Sequence, residues 1–219
     1  MIGRWNFEDR MDAGRQLASA LAAERIDDPV VLALPRGGVP VAFEVASALA
    51  APLDLLFVRK IGAPVNQEVA IGAVVDGKEP QIVVNDEILA QSGASLAYVD
   101  QEARRQLEEI DRRRKIYLGN RRPLDLQERH VIVVDDGIAT GATVKAGLKA
   151  LGRIGAASVT LAAPVAPSEV LDELRPLVTR IVCLQVPADF LAVGHHYRDF
   201  RQTTDAEVMD VLARVRTPE

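Results

Sequence analysis

Two adjacent aspartates, Asp135 and Asp136, follow an apolar run in the stretch VIVVDDGIATGAT, which covers residues 131–143. Neighbouring carboxylates repel each other and do not belong in a hydrophobic core, so we expect them at its rim. Carboxylates accept hydrogen bonds from hydroxyl groups and attract metal ions. The pair therefore indicates a site for ligand hydroxyls, a metal ion, or both.

The residues after the acidic pair indicate an anion-binding loop. They are small or short and comprise Ala139, Thr140, Gly141, Ala142 and Thr143. Such residues let backbone N–H groups approach an anion, and a helix predicted from residue 143 adds unpaired donors and a partial positive charge. A ribose 5-phosphate has the matching layout of vicinal hydroxyls and a phosphate. The alternative, an acidic N-cap with a tight turn, explains one aspartate and one glycine but not the whole run.

The elements around this loop predict an α/β domain with an open, mainly parallel sheet flanked by helices. The predicted strands cover residues 30–34, 53–58, 70–75, 81–84, 130–134, 158–165 and 180–186. The predicted helices cover residues 10–24, 39–50, 143–154, 168–174 and 205–214. Strand 130–134 is continuously apolar, so we expect it at the sheet centre, with its carboxyl end at the edge where such sheets bind ligands.

Composition limits the classes of function. The 219 residues are 48% hydrophobic and 26% charged, which is typical of a globular domain. The net charge of -5 gives no general nucleic-acid footprint, so nucleic acid is not an expected partner. A single cysteine, Cys183, argues against a disulfide framework and favours a cytoplasmic setting. The first residues lack the apolar core of a signal peptide, and no stretch is apolar enough to span a bilayer.

A long amphipathic helix is predicted over residues 95–117. Its apolar positions recur every three or four residues at Leu96, Val99, Ala103, Leu107 and Ile110. Its other side is basic, with Arg104, Arg105, Arg112, Arg113, Arg114 and Lys115, and Arg121 and Arg122 follow. This side is either a solvated face partly neutralised by acids of the same helix, or a lid or arm that contacts phosphate or RNA. The sequence leaves both interpretations open.

A hydrophobic strand, two acids and the sequence T-G-x-T occur in that order, which resembles the phosphoribosyl pyrophosphate (PRPP) motif of type I phosphoribosyltransferases. Neither GxxxxGK[ST] nor GxGxxG fits the same residues. The resemblance covers about residues 30–204 and is nearest to predicted bacterial phosphoribosyltransferases with a helical insertion. It implies transfer of 5-phosphoribosyl from PRPP to a nitrogen acceptor, with release of pyrophosphate and with Mg²⁺ as cofactor. Asp135 and Asp136 would be catalytic and would bind ribose hydroxyls and the metal, and residues 139–143 would bind the 5-phosphate.

A second loop, residues 35–38, corresponds to the pyrophosphate loop of that family. Gly37 and Gly38 open the backbone to an oxyanion, and Arg36 can add charge-assisted hydrogen bonds. The family often has a cis peptide outside proline in this loop, so we expect one between Pro35 and Arg36. The resemblance also implies that Arg59 and Lys60 contact pyrophosphate, just before a mobile loop that closes over the substrate. Glu68 in that loop is a candidate without an assigned role.

The segment VPADFLAVGHHYRDFRQTTD resembles the hood of hypoxanthine-type members. Phe190 would then stack on a nucleobase, Val193 would line the pocket and Arg201 would reach pyrophosphate. The alternative is that Phe190, Tyr197 and Phe200 are core residues at the edge of the sheet. We expect one domain over residues 1–219, with a helical insertion at 86–122 and a hood made of 187–204 plus part of the N-terminus.

Ala139 departs from the pattern of purine-using members, which usually carry an aspartate there that accepts a proton from the base. Three explanations stay open: a base that needs no such proton transfer, as in orotate-type members, another group that serves, or an acceptor that is not a purine. A role in nucleotide salvage and a homodimeric state are compatible with the resemblance.

Two other functions stay open as well. One is a regulator of the same fold that senses PRPP or a nucleotide and binds RNA or protein through the basic helix. The other is a hydrolase or transferase that acts on a different sugar phosphate. Pyrophosphate release that depends on a nitrogenous acceptor would distinguish a phosphoribosyltransferase from both.

Overall fold

The computed structural model describes residues 6–214, which form eight strands and seven α-helices in that range. In chain order these are α1 (Arg10–Ala22), β1 (Pro29–Ala33), α2 (Gly38–Ala48), β2 (Leu53–Leu55), β3 (Val58–Gly62), β4 (Ala70–Val75), β5 (Gln81–Val84), α3 (Asp86–Ser92), α4 (Leu96–Leu118), β6 (His130–Val134), α5 (Ala142–Ile154), β7 (Ser158–Val165), α6 (Ser168–Leu174), β8 (Arg180–Gln185) and α7 (Asp205–Ala213). Short 3₁₀ helices cover Arg175–Leu177 and Val193–His196. No helix in the described range is long and apolar enough to cross a membrane.

The larger sheet has five parallel strands in the order β2-β1-β6-β7-β8 and helices on both faces. Strand β6 lies in the middle, and residues 131–134 are at most 1% exposed, as expected of a strand covered on both sides. Ile132 and Val134 face α1, α2 and α7, whereas Val131 and Val133 face α5 and α6. The predicted fold class, an open and mainly parallel sheet flanked by helices, is confirmed.

The smaller sheet corrects one strand prediction. Residues 53–58 form no single strand, because β2 ends at Leu55 and β3 begins at Val58 in a separate antiparallel sheet of order β3-β4-β5. The residues between them, Leu56 and Phe57, are buried and apolar. No turn residue therefore marks the point at which the chain leaves the parallel sheet.

Helix α4 is anchored to both sheets by a buried charge. Val99, Ala103 and Ile110 face the core as predicted, but Leu96 is 69% exposed. Arg114, predicted on the exposed basic side, is buried instead and binds carboxylates of Asp54 and Asp76. Arg114 lies four residues after Ile110, and residues at this spacing share one face of a helix. The basic face is therefore smaller than the charge run suggests.

The N-terminal residues pack against the segment predicted as a hood. Phe7 forms a parallel bridge with Tyr197, and the backbone N–H groups of Asn6 and Phe7 donate to the carbonyl of His196. Arg198 in turn donates its backbone N–H to the carbonyl of Phe7. Residues 6–10 are thereby held beside residues 196–201, next to the carboxyl end of β6.

Candidate active site

The acid loop, residues 135–141, joins the carboxyl end of β6 to the start of α5. Gly141 precedes the helix with φ of 69°, a left-handed conformation that favours glycine, and no side chain caps the helix. Ala139, Thr140, Ala142 and Thr143 are exposed around this end. An uncapped helix start with exposed N–H groups and two threonine hydroxyls is suited to a phosphate.

The glycine loop, residues 35–38, lies directly against the acid loop. A Cβ built on Gly37 would overlap with Oδ2 of Asp136, and one on Gly38 would stand 2.8 Å from the carbonyl oxygen of Val134. Only glycine leaves room for this approach. The peptide bond between Pro35 and Arg36 is cis, as predicted. The structure thus brings together the two loops that the sequence singled out separately.

Arg10 is a member of this site that the sequence analysis missed. Its Nε lies 2.6 Å from Oδ2 of Asp136, and the two side chains are only 12% and 13% exposed. Its Nη1 donates to the carbonyl of Arg201 at 2.7 Å, and its guanidinium lies 4.0 Å from the centroid of the Phe200 ring. Because 126 residues separate Arg10 from Asp136, no local motif could have indicated the contact.

The acidic pair is electrostatically asymmetric. Desolvation and then the neighbouring charge of Asp136 raise the pKa of Asp135 well above its ordinary value. One oxygen of Asp135 accepts the backbone N–H of Asp136 at 2.9 Å. The other oxygen of Asp135 and Oδ1 of Asp136 accept no hydrogen bond from residues 6–214. No donor of another residue in that range therefore holds these two oxygens, and the two carboxyl groups lie close enough to share a proton, which also raises the pKa of Asp135.

Two carboxylates suit Mg²⁺ by chemistry, because this ion takes oxygen ligands and usually combines one or two carboxylates with phosphates and water. Within residues 6–214 no group of three or more acidic, histidine or cysteine side chains could hold a metal ion. Asp135 and Asp136 fit as a partial ligand set. The remaining ligands would have to come from a substrate and from water.

Tyr197 fixes the backbone of the acid loop from the side of the hood segment. Its hydroxyl donates to the carbonyl of Asp136 at 2.5 Å, and burial raises the pKa of the phenol. The centroid of the Tyr197 ring lies 4.9 Å from that of Phe200. Val193 also contacts the loop, because a Cβ on Gly137 would overlap with its Cγ1. The hood segment therefore lies on the acid loop.

The remaining hood residues differ in how deeply they are buried. Tyr197 is a core residue at 2% exposure, as one interpretation of the sequence held. Phe190 is only partly buried and stacks on His196 with centroids 6.0 Å apart. The guanidinium of Arg201 is mostly exposed and pairs with Glu207 and Asp199. Arg201 also lines a cavity of about 270 Å³ together with Arg10.

Arg36 of the glycine loop is linked to α4 through an acid on α7. Its Nη1 lies 3.4 Å from Oδ1 of Asp205, and the same oxygen accepts the hydroxyl of Tyr117 at 2.6 Å. Burial, and next this hydrogen bond, raise the pKa of Tyr117 to about 12. Helix α4 therefore reaches the glycine loop through Asp205.

Arg59 and Lys60 project from opposite faces of β3, since successive strand residues alternate. Arg59 pairs with Glu109 of α4 at 3.6 Å, whereas Lys60 pairs with Glu68 at 3.3 Å. Lys60 lines a cavity of about 340 Å³ with Thr143, at the start of α5. The structure thus places Lys60 on the side of the start of α5 and Arg59 on the side of α4.

Comparisons with known proteins agree with this geometry. Residues 7–198 match the family described as "Phosphoribosyl transferase domain". The chain is 46% identical over 208 residues to the Mycobacterium tuberculosis proteins named "Putative phosphoribosyl transferase MT0597" and "Putative phosphoribosyl transferase Rv0571c". That match covers 95% of this chain but 46% of each relative, so the chain spans about half their length.

A solved structure is similar over nearly the whole chain. The protein TT1426 from Thermus thermophilus is 42% identical, with a TM-score of 0.84, and the match covers 97% of this chain and 100% of that one. The family match extends over most of the chain and includes both the glycine loop and the acid loop. The chain belongs to the type I phosphoribosyltransferase family.

Proposed function

We propose that this chain transfers the 5-phosphoribosyl group of PRPP to a nitrogen acceptor, a nucleobase or a related compound, and releases pyrophosphate. The observation that carries the proposal is the approach of Gly37 to Asp136. A backbone suited to pyrophosphate lies there beside carboxylates suited to ribose hydroxyls. The uncapped start of α5 lies at the other end of the acid loop, where a 5-phosphate would bind.

Each group of residues then has a role in binding PRPP. The two oxygens of Asp135 and Asp136 without a donor would accept the ribose hydroxyls and coordinate Mg²⁺. The amides and hydroxyls of residues 139–143 would bind the 5-phosphate. Arg36, Gly37 and Gly38 would bind pyrophosphate, with Arg59, Lys60 and Arg201 as further candidates. Mg²⁺, when bound, would neutralise charge on the pyrophosphate.

In the reaction, the bond between C1 of the ribose and the pyrophosphate oxygen breaks with its electron pair leaving on pyrophosphate. The acceptor nitrogen forms the new bond to C1 and afterwards loses any proton that it carried. The acid loop would stabilise the positive charge that develops on the sugar, and the glycine loop would stabilise the leaving group. Because the protein would hold both ends of PRPP, it would orient C1 for the reaction and so accelerate it. No covalent nucleophile on the protein is then required.

The hood segment is the place where we propose that the acceptor binds. Val193 contacts the acid loop at Gly137, and Phe190 offers a partly exposed ring for stacking. Ala139 is exposed at the loop and has no proton-accepting group. The acceptor is therefore a base that needs no such proton transfer, a base that loses its proton to another group, or a compound that is not a purine.

The charges of α4 give no support to the alternative of an RNA-binding regulator. Arg112 and Arg113 both donate to Glu109, and Arg114 is buried. Arg105 donates to Glu102 in the same helix. Internal pairing of this kind leaves less basic surface for a polyanion.

Titration calorimetry with PRPP and Mg²⁺ tests the proposal, followed by measurement of pyrophosphate release with a panel of nitrogenous bases. We expect wild-type protein and Asp172→Asn, an exposed control on α6, to bind PRPP. Asp136→Asn should bind PRPP at least about tenfold more weakly, a difference of about 1.4 kcal/mol. Equal binding by Asp136→Asn would refute the role of the pair. Absence of pyrophosphate release with every base would refute transferase activity.

A further inference from the structure

We propose that two acids in the first turn of α7, Asp205 and Glu207, compete with pyrophosphate for the arginines that would bind it and so favour the release of this product. The inference rests on the proposed function, which assigns Arg36 and Arg201 to pyrophosphate. It deepens that function by assigning residues to the release of the product. Helix α7 lies outside both the acid loop and the glycine loop.

Each of these arginines is paired with a carboxylate of the same helical turn. Nη1 of Arg36 lies 3.4 Å from Oδ1 of Asp205. Nη1 of Arg201 donates to Oε1 of Glu207 at 2.5 Å. Arg36 precedes α2 and Arg201 precedes α7. One turn of α7 therefore holds the cations of two separate segments.

The two carboxylates are fixed in position and ionised. Asp205 is the first residue of α7, and its Oδ1 also accepts the hydroxyl of Tyr117 at 2.6 Å. Glu207 forms a capping box with Thr204, which donates to Oε2 and leaves Oε1 to Arg201. The hydrogen bond from Tyr117 lowers the pKa of Asp205, and the one from the backbone of Thr204 lowers the pKa of Glu207 to about 2. Both acids are therefore negative at neutral pH.

The arginines can change partner without a change in the fold. The side chain of Arg36 is 31% exposed and that of Arg201 is 68% exposed. Arg201 and Glu207 line the cavity of about 270 Å³ that also contains Arg10. A guanidinium carries five N–H donors, and their planar arrangement suits carboxylate and phosphate alike. Pyrophosphate at the glycine loop would therefore take over donors that the carboxylates hold in the free protein.

Competition of this kind weakens the binding of pyrophosphate. Exposed ion pairs contribute little, so each pair would lower the affinity by up to about fivefold. The two acids would also repel a ligand that carries several negative charges. After the transfer, the carboxylates would bind the arginines again as pyrophosphate leaves.

Titration calorimetry of the protein with inorganic pyrophosphate and Mg²⁺ tests the proposal. Asp205→Asn removes one negative charge and keeps an oxygen that can accept the hydroxyl of Tyr117. Glu207→Gln removes the other charge and keeps a side chain suited to the capping box. Each variant should bind pyrophosphate about two- to fivefold more tightly than wild type, and the double variant more tightly than either.

Asp210→Asn is the matched control. It removes the same charge from an exposed position of α7 that pairs with neither Arg36 nor Arg201, and its affinity should stay within about twofold of wild type. Asp205→Glu keeps the negative charge and should bind pyrophosphate as wild type does. A purely structural role would give the opposite sign, because a loosened start of α7 would leave the arginines less well placed. Unchanged or lower affinity in either neutral variant that folds would overturn the proposal.

The experiment separates this inference from the proposed function. Calorimetry with PRPP on wild-type protein reports on the proposed function, whereas the inference depends on the ratio of pyrophosphate affinities between variant and wild type. PRPP binding by wild type without a gain in the neutral variants would contradict the inference alone. A gain with pyrophosphate but no PRPP binding would support the competition and contradict the proposed function. Absence of pyrophosphate binding in wild type and in both variants would overturn the inference.

Discussion

Within residues 6–214, an arginine binds at a pair of aspartates in two places, and the two places differ in how many carboxylate oxygens accept a hydrogen bond. At the anchor of α4, Arg114 binds Asp54 and Asp76, and all four carboxylate oxygens accept hydrogen bonds. At the candidate active site, Arg10 binds one oxygen of Asp136, and two oxygens of the pair receive no donor from residues 6–214.

The comparison separates a structural charge cluster from one suited to a ligand. Three backbone N–H groups complete the Arg114 cluster, from Leu55, Phe57 and Leu124. The acid loop and the glycine loop instead border the Arg10 cluster and leave two of its oxygens without donors. Burial of charge alone does not distinguish the two clusters, whereas the number of unsatisfied oxygens does.

Replacement of Arg114 should have the largest effect on the free energy of unfolding. Arg114→Met leaves two buried carboxylates without their cation and should lower the free energy of unfolding by about 3–5 kcal/mol. Arg112→Met, an exposed control on the same helix, should cost less than about 1 kcal/mol. Urea unfolding monitored by circular dichroism measures both. Equal losses in the two variants would show that the Arg114 cluster contributes no more than a surface pair.

The pH dependence of the free energy of unfolding should also report on the Arg114 cluster. Burial raises the pKa of Asp76 to about 6, against the opposing effect of Arg114. The folded state therefore binds a proton more tightly than the unfolded state, so this contribution to stability is present below about pH 4 and is lost as the pH rises to about 6.

Comparison with Asp76→Asn isolates that contribution. The free energy of unfolding of wild type, relative to the variant, should fall on the order of 3 kcal/mol between about pH 4 and pH 6, since each pKa unit is about 1.4 kcal/mol. Urea unfolding at several pH values measures the difference. A difference that stays constant over this range would contradict the elevated pKa.

A change at the glycine loop should affect binding more than stability. Gly37 has φ of -59° and ψ of -35°, which alanine adopts readily, so only the approach of Asp136 opposes Gly37→Ala. PRPP affinity should fall at least about tenfold, or about 1.4 kcal/mol. Gly152→Ala is the control, because a Cβ there meets nothing within 4 Å. Calorimetry measures both affinities. Equal PRPP affinity of the two variants would contradict a role of Gly37 in the PRPP site.

Much of the fold could be predicted from local pattern. Strands β4, β5, β6 and β7 match their predicted bounds, because each is a short, mostly apolar run that contains β-branched residues. The division of residues 53–58 between two sheets was not predictable, since buried residues continue across it. The burial of Arg114 was accessible from helical periodicity, but the run of basic residues suggested an exposed face instead.

The candidate site was predictable where it is local in sequence. The acid loop and the glycine loop are contiguous motifs, and the structure brings them together as expected of loops at the same sheet edge. Arg10 and Tyr197 reach the site from positions 126 and 61 residues away from Asp136. Contacts of this kind depend on tertiary packing, on which periodicity and spacing carry no information. The roles of all these residues in binding PRPP stay predictions.

The alternation of side chains along β3 makes this strand intolerant of insertions and deletions. Arg59 faces Glu109 of α4 and Lys60 faces the cavity beside α5. Loss or gain of one residue before them would exchange the two cations between these environments and turn each away from its present partner. The exposed residues 64–69 that follow lie outside the strand, so their side chains do not follow this alternation. Length variation among related chains should therefore concentrate in that loop and spare the strand.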